Sequence, residues 1–141
     1  MKAFLDTSVL VAAARETDLR HRASRTLTIR SNPQDACCAA HSLAELYSAL
    51  TGMRPPNRFR PEQALLVLDQ VKASLLCISL SAEEVFQTVR QTAALKLPGG
   101  IIYDALLMVC ARKADSERIY TWNEKHFRMV APDLADRIVT P

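Results

Sequence analysis

Short apolar runs alternate with helical stretches along the chain, and this alternation constrains the fold more than any other feature. Lys2 to Leu5 is a brief apolar run stopped by Asp6; Val9 to Ala14 then has helical character, and His21 to Ile29 predicts a second short helix. Asn32-Pro33 marks a turn, and Ala36 to Ala40 is short, apolar and uncharged, as a buried strand is. From Ser42 to Leu50 the apolar residues Leu43, Leu46, Tyr47 and Leu50 fall at i, i+3, i+4 and i+7, which predicts a helix. Gly52 and Pro55-Pro56 end it, and Pro61 opens another helix to about Val71. Leu75 to Leu80 reads as a buried strand, and Ser81 caps a helix to about Leu95 with Glu84 at the capping-box position. Pro98-Gly99-Gly100 breaks the chain before a very apolar helix, Ile101 to Ala114. Ile119 to Trp122 is a further strand, and Arg137 to Val139 a short edge strand.

Short apolar strands separated by helices imply a parallel sheet covered on both faces. The expected fold is α/β: a three-layer α/β/α sandwich around a central, mainly parallel sheet, with residues 1–141 as a single domain. A length of 141 residues suits one domain, and 49% hydrophobic residues provide a core. No stretch is long and apolar enough to span a bilayer, and Asp6 interrupts the N-terminal apolar run. A cytoplasmic protein with no membrane contact is therefore expected. The four cysteines, Cys37, Cys38, Cys77 and Cys110, contain no C-x-x-C pair and read as buried free thiols.

The net charge is only +3, but Arg outnumbers Lys by 13 to 5. Arg15, Arg20, Arg22, Arg25 and Arg30 form one cluster, and Arg54, Arg58 and Arg60 a second. The guanidinium fork suits phosphate, although for the charges alone a solvated helix face plus a loop is the commoner explanation.

In open α/β sheets, ligands bind beyond the carboxyl ends of the strands. The polar residues there are Asp6-Thr7-Ser8, His41-Ser42 with Glu45, and Asn123; Asp104 lies in the first turn of the apolar helix at Ile101. Each has an ordinary explanation. Asp6 is a possible helix cap, Ser42 and Glu45 match a capping box, Asp104 favours a helix N-terminus, and Asn123 is a good turn residue. Together they say more. Asp104 interrupts an apolar run, so it should be partly buried and in need of a partner. No nearby Lys or His presents itself as a shared counter-ion. A hard divalent cation, Mg2+ or Mn2+, would neutralise three converging carboxylates.

Four segments carry a resemblance: Phe4-Leu5-Asp6-Thr7-Ser8-Val9-Leu10-Val11, Ser42-Leu43-Ala44-Glu45-Leu46, Tyr103-Asp104-Ala105-Leu106 and Thr121-Trp122-Asn123-Glu124-Lys125-His126-Phe127. In this order the chain resembles, over essentially its whole length, the PIN-domain ribonucleases, in particular the VapC-type toxins of bacterial toxin–antitoxin pairs. The resemblance implies that Asp6, Glu45 and Asp104 bind the metal, that Thr7 or Ser8 supports Asp6, and that Thr121 lies beside the site. It also implies a VapB-type antitoxin partner, an RNA substrate and a homodimer. Many members carry an acid at the position of Asn123 and an Asp where His126 stands, so one metal held by three carboxylates is the expectation, with Asn123 ligating or holding water.

The expected reaction is metal-assisted hydrolysis of an RNA phosphodiester. Within the loop Arg54-Pro55-Pro56-Asn57-Arg58-Phe59-Arg60, the arginines Arg54, Arg58 and Arg60 are expected to grip RNA, with Phe59 stacking a base. His21, His41 and His126 lack the spacing of a metal pair and are read as packing or hydrogen-bonding residues. A dehalogenase-like phosphatase would need D-x-D, but position 8 is Ser. A dinucleotide binder would need a glycine-rich turn after the first strand. The alternative within the fold is a catalytically inactive PIN-like RNA- or protein-binding module.

Overall fold

The structure is a computed structural model that describes residues 1–141. Five strands, β1 (Ala3–Leu5), β2 (Ala36–Ala39), β3 (Leu76–Ile78), β4 (Arg118–Tyr120) and β5 (Ile138–Val139), form one sheet in the order β3-β2-β1-β4-β5. Every pairing is parallel, so the sheet is wholly rather than mainly parallel. The helices are α1 (Thr7–Ala14), α2 (His21–Arg30), α3 (Ser42–Thr51), α4 (Pro61–Ser74), α5 (Ala82–Ala94), α6 (Ile101–Lys113) and α7 (Glu124–Val130), followed by a 3-10 turn, Pro132–Arg137.

Parallel strands need crossover connections, and the helices supply them while covering both faces of the sheet. Successive side chains of a strand point to opposite faces, so the sequence pairs Phe4-Leu5 and Cys37-Cys38 each split between two cores. Phe4, Cys37, Ile119 and Ile138 pack against Leu107, Met108 and Phe127 from α6 and α7. Leu5 and Cys38 pack against Val9, Leu10, Leu46, Leu50 and Val71 from α1, α3 and α4. β1 lies at the centre, with Phe4 opposite Cys37 on one side and Ile119 on the other. Its last residue, Leu5, pairs with Tyr120, so the chain segments that follow β1 and β4 emerge side by side.

Two differences from the sequence reading bear on the site. β4 stops at Tyr120 rather than Trp122 because the backbone N–H groups of Trp122 and Asn123 donate to the hydroxyls of Ser8 and Thr121. α7 was not anticipated: at seven residues it is too short to display a helical period, and Pro132 closes it off. Elsewhere the local signals act as expected. Ser81 Oγ accepts from the Glu84 amide at 3.1 Å while Glu84 accepts from the Ser81 amide at 2.7 Å, the reciprocal pair that starts α5. Gly99 has φ +65, a left-handed conformation that favours glycine, and it turns the chain into α6.

All four cysteines are free; Cys37, Cys38 and Cys110 are buried, whereas Cys77 is only partly so. No helix is long and apolar enough to cross a membrane.

Candidate active site

Asp6 follows directly on β1 and is buried, with 2% of its surface exposed. It occupies the N-cap position of α1, yet its side chain makes no cap hydrogen bond. Its Oδ2 instead accepts from Ser8 Oγ at 2.6 Å and from Thr121 Oγ1 at 2.7 Å. Both hydroxyls are oriented by the backbone: Ser8 Oγ accepts from the Trp122 amide at 3.0 Å, and Thr121 Oγ1 from the Asn123 amide at 2.9 Å. With an N–H taken up on its lone pair, each hydroxyl directs its proton to the carboxylate. Of the two residues expected to support Asp6, Ser8 does so. The Thr7 hydroxyl is engaged elsewhere, donating to Ser42 Oγ at 2.9 Å and tying α1 to α3, while the Thr7 backbone N–H contributes to stabilising the Asp6 carboxylate.

Ser42 is fully buried and its hydroxyl faces Thr7, so the S-x-x-E segment does not form a capping box. His41 is the N-cap of α3, without a side-chain cap bond. Glu45 is thereby released from a capping role. Its Oε1 lies 3.4 Å from His41 Nε2, but neither atom is hydrogen-bonded, and both are buried without a partner. Asp104, in the first turn of α6, sits with Oδ2 3.4 Å from His126 Nδ1. No single cationic side chain is shared by the three acids, but Glu45 and Asp104 each face an imidazole. His41 was within reach of sequence reasoning, since it precedes Glu45 by four residues. His126 was not, because only the fold brings α7 to α6.

The acids repel one another. Burial holds Asp6 above the ordinary carboxylate range, against the opposing hydrogen bonds from Ser8 and Thr121. Burial, then the charges of Asp6 and Asp104, push Glu45 up to about 7. Asp104 is raised by burial and by Asp6, with His126 opposing. Burial lowers His41, so it adds little positive charge here. No three acidic, histidine or cysteine side chains close into a ready coordination shell. The acids instead lie within electrostatic reach of one another, with Glu45 Oε1 an orphaned acceptor among them. Oxygen donors carrying mutual repulsion and an unsatisfied buried acceptor fit a hard divalent cation.

Asn123 starts α7 through its backbone, and its exposed side chain makes no cap bond. In the 54–60 loop, Arg54 and Arg60 are exposed, while Arg58 Nε donates to the Met53 carbonyl at 2.8 Å. Phe59 is partly buried: it packs against the core that contains Leu46, Leu50 and Ala64, and its amide donates to Leu50 O at 3.0 Å.

Sequence reasoning did not single out Trp122. Its indole Nε1 donates to the buried Ser24 Oγ at 2.9 Å, and the guanidinium carbon of Arg20 lies 5.1 Å from the ring centroid. Trp122 therefore fastens α2 beside the segment that holds Asp6.

Comparison with known proteins identifies the family and the fold. The family model described as the PIN domain matches residues 3–131. The chain is 31% identical over 114 residues to Ribonuclease VapC27 of Mycobacterium tuberculosis, covering 80% of this chain and 79% of that protein. Among solved structures, the fold is similar to VapC20 of Mycobacterium tuberculosis, a Sarcin-Ricin loop cleaving toxin. The TM-score is 0.71 at 18% identity, covering 89% of this chain and 92% of that one. It is also similar to VapBC2 from Rickettsia felis, bound to a promoter DNA fragment, with a TM-score of 0.62 at 21% identity over 91% and 92% of the two chains.

Proposed function

The chain belongs to the PIN-domain family, and from that premise we propose that it is a metal-dependent endoribonuclease, the toxin of a toxin–antitoxin pair. The observation that carries this reading is the set of mutually repelling acids at the carboxyl edge of the sheet, with Glu45 Oε1 buried and unpartnered. The relative VapC27, called a ribonuclease, supports RNA as the substrate.

Asp6, Glu45 and Asp104 would hold Mg2+ or Mn2+. Bound there, the cation supplies Lewis-acid chemistry toward the scissile phosphate and the attacking water. The chain's own contribution is placement. Ser8 and Thr121 fix the Asp6 carboxylate in one orientation, and the paired hydrogen bonds limit its rotation. His126, more than half exposed, stands beside Asp104 on the open side of the site. Asn123 extends this edge with a neutral carboxamide. Arg54 and Arg60 offer free guanidinium groups to the strand.

A VapB-type antitoxin and a second copy of the chain are the proposed partners. Exposed Leu65 and Leu66 on α4, Phe86 and Val89 on α5, and Tyr103 on α6 provide apolar surface for them. A cytoplasmic location follows from the same reading. Induced expression should arrest growth and produce defined RNA fragments, and Asp6→Asn should relieve both effects. Arrest that persists in Asp6→Asn would place the toxicity elsewhere.

A further inference from the structure

Four of the chain's thirteen arginines are paired with acids and nine are not. Arg15, Arg112, Arg128 and Arg137 each lie within 4 Å of a carboxylate oxygen. Arg20, Arg22 and Arg30 have no such partner and are exposed. They belong to α2 and its N-cap, and α2 itself, His21-Arg22-Ala23-Ser24-Arg25-Thr26-Leu27-Thr28-Ile29-Arg30, contains no acid. An exposed helix normally mixes charges of both signs, so an all-basic one accumulates unscreened positive potential.

The helix is also joined to the acidic site by direct contacts. Arg20 lies over the Trp122 ring, the Trp122 amide donates to Ser8 Oγ, and Ser8 Oγ donates to Asp6 Oδ2. Away from Arg20, Arg22, Thr26 and Arg30 line one side of an open groove of about 570 Å³, with Tyr120 of β4 among the residues opposite. The groove has no acidic side chain in its wall. From Arg20 to Arg30 the helix rises roughly 15 Å, enough for several phosphates of an extended strand. Beyond Arg30 the surface becomes mixed, with Asp35 and Glu117 among Lys2 and Arg118, and the basic track ends there.

We propose that the groove beside Arg22 and Arg30 of α2 is a phosphate track for RNA, with Arg20, on the adjoining flank of the helix over Trp122, leading toward the acidic site. The inference rests on the nuclease reading and adds to it the path taken by the strand. Unpaired arginines along a groove match the charge of a polyphosphate backbone, and Tyr120 gives a base an aromatic surface.

The test uses Asp6→Asn protein, in which cleavage is off, and fluorescein-labelled oligoribonucleotides of mixed sequence, single-stranded and hairpin. Anisotropy titrations across a salt series compare it with the same protein carrying Arg22→Gln and Arg30→Gln. Binding of a single strand should weaken about tenfold, and the salt slope should fall by roughly 1.4, at about 0.7 per lost phosphate contact. Thr26→Glu, which keeps both arginines but sets a carboxylate between them, should weaken binding in the same way. Circular dichroism verifies that each variant is folded. If the unmodified chain cleaves RNA while the α2 variants bind with unchanged affinity and slope, the track is wrong, the nuclease reading stands, and the ridge is left to a protein partner. If the unmodified chain neither binds nor cleaves, both readings fall.

Discussion

Thr121 Oγ1 donates to Asp6 Oδ2 at 2.7 Å, joining the ends of two adjacent strands across 115 residues of chain. The same hydroxyl accepts the amide of Asn123, so one buried oxygen sets both the acid and the start of α7.

Thr121→Val should therefore cost more than its near-identical volume implies. It leaves the Asn123 amide without its acceptor and removes a donor from a buried carboxylate, at about 1–3 kcal/mol. Thr121→Ser retains the hydroxyl and should recover most of that loss. Chemical denaturation of the two variants separates the hydrogen bond from the packing. Equal losses in both would mean that the hydroxyl is not what matters.

Folding stability should depend on pH through Glu45. Its carboxyl is raised from 4.5 to about 7 in the folded chain, so its stabilising contribution is complete below pH 4.5 and is lost as pH rises through 7. Asp6 and Asp104 are raised as well and act in the same direction. Metal-free protein should thus be more stable at pH 5.5 than at pH 8, by on the order of 1 kcal/mol for Glu45 once solvent screening is allowed for. Glu45→Gln should flatten the dependence. A melting temperature that rises steadily from pH 5.5 to 8 would contradict the assigned repulsion.

Added Mg2+ or Mn2+ should reverse that trend. A cation that binds only the folded state at one hundred times its Kd stabilises by about 2.7 kcal/mol. The gain should be large at pH 8 and smaller at pH 5.5, where Glu45 is protonated. Thermal shift measurements with and without chelator check this, and the shift should vanish in an Asp6→Asn protein.

Much of the fold was legible because the central strands are buried on both faces. Ala36 to Ala39 is apolar without alternation, as parallel interior strands are, whereas Leu76 to Ile78, read as a buried strand, lies at the sheet edge with Leu76 exposed. The end of β4 was not legible, because Trp122 and Asn123 have strand-like neighbours but give their amides to Ser8 and Thr121. Local patterns were also ambiguous at the site itself. Ser42 and Glu45 have capping-box spacing, and only the distant Thr7 decides that Ser42 is otherwise engaged.

Asp6 and Glu45 were recognisable by their positions after strand ends, and Asp104 by its place in an apolar helix start, but their neighbours were not. Asp104 and His126 are separated by a complete strand and two turns, and nothing local in sequence couples them. Phe59 differs in another way. Its basic neighbours gave it the appearance of an exposed aromatic, whereas the fold leaves it partly buried against a core cluster. The basic character of α2 was visible in composition, but its link to Asp6 passes through Trp122 and Ser8, three segments apart in the chain.

The most direct test of the central claim is RNA cleavage by purified, partner-free protein with Mg2+, with Mn2+ and with chelator, beside an Asp104→Asn control shown to be folded. The account predicts cleavage that requires the cation and is lost in the control. Cleavage that persists in chelator, or undiminished in Asp104→Asn, would contradict it.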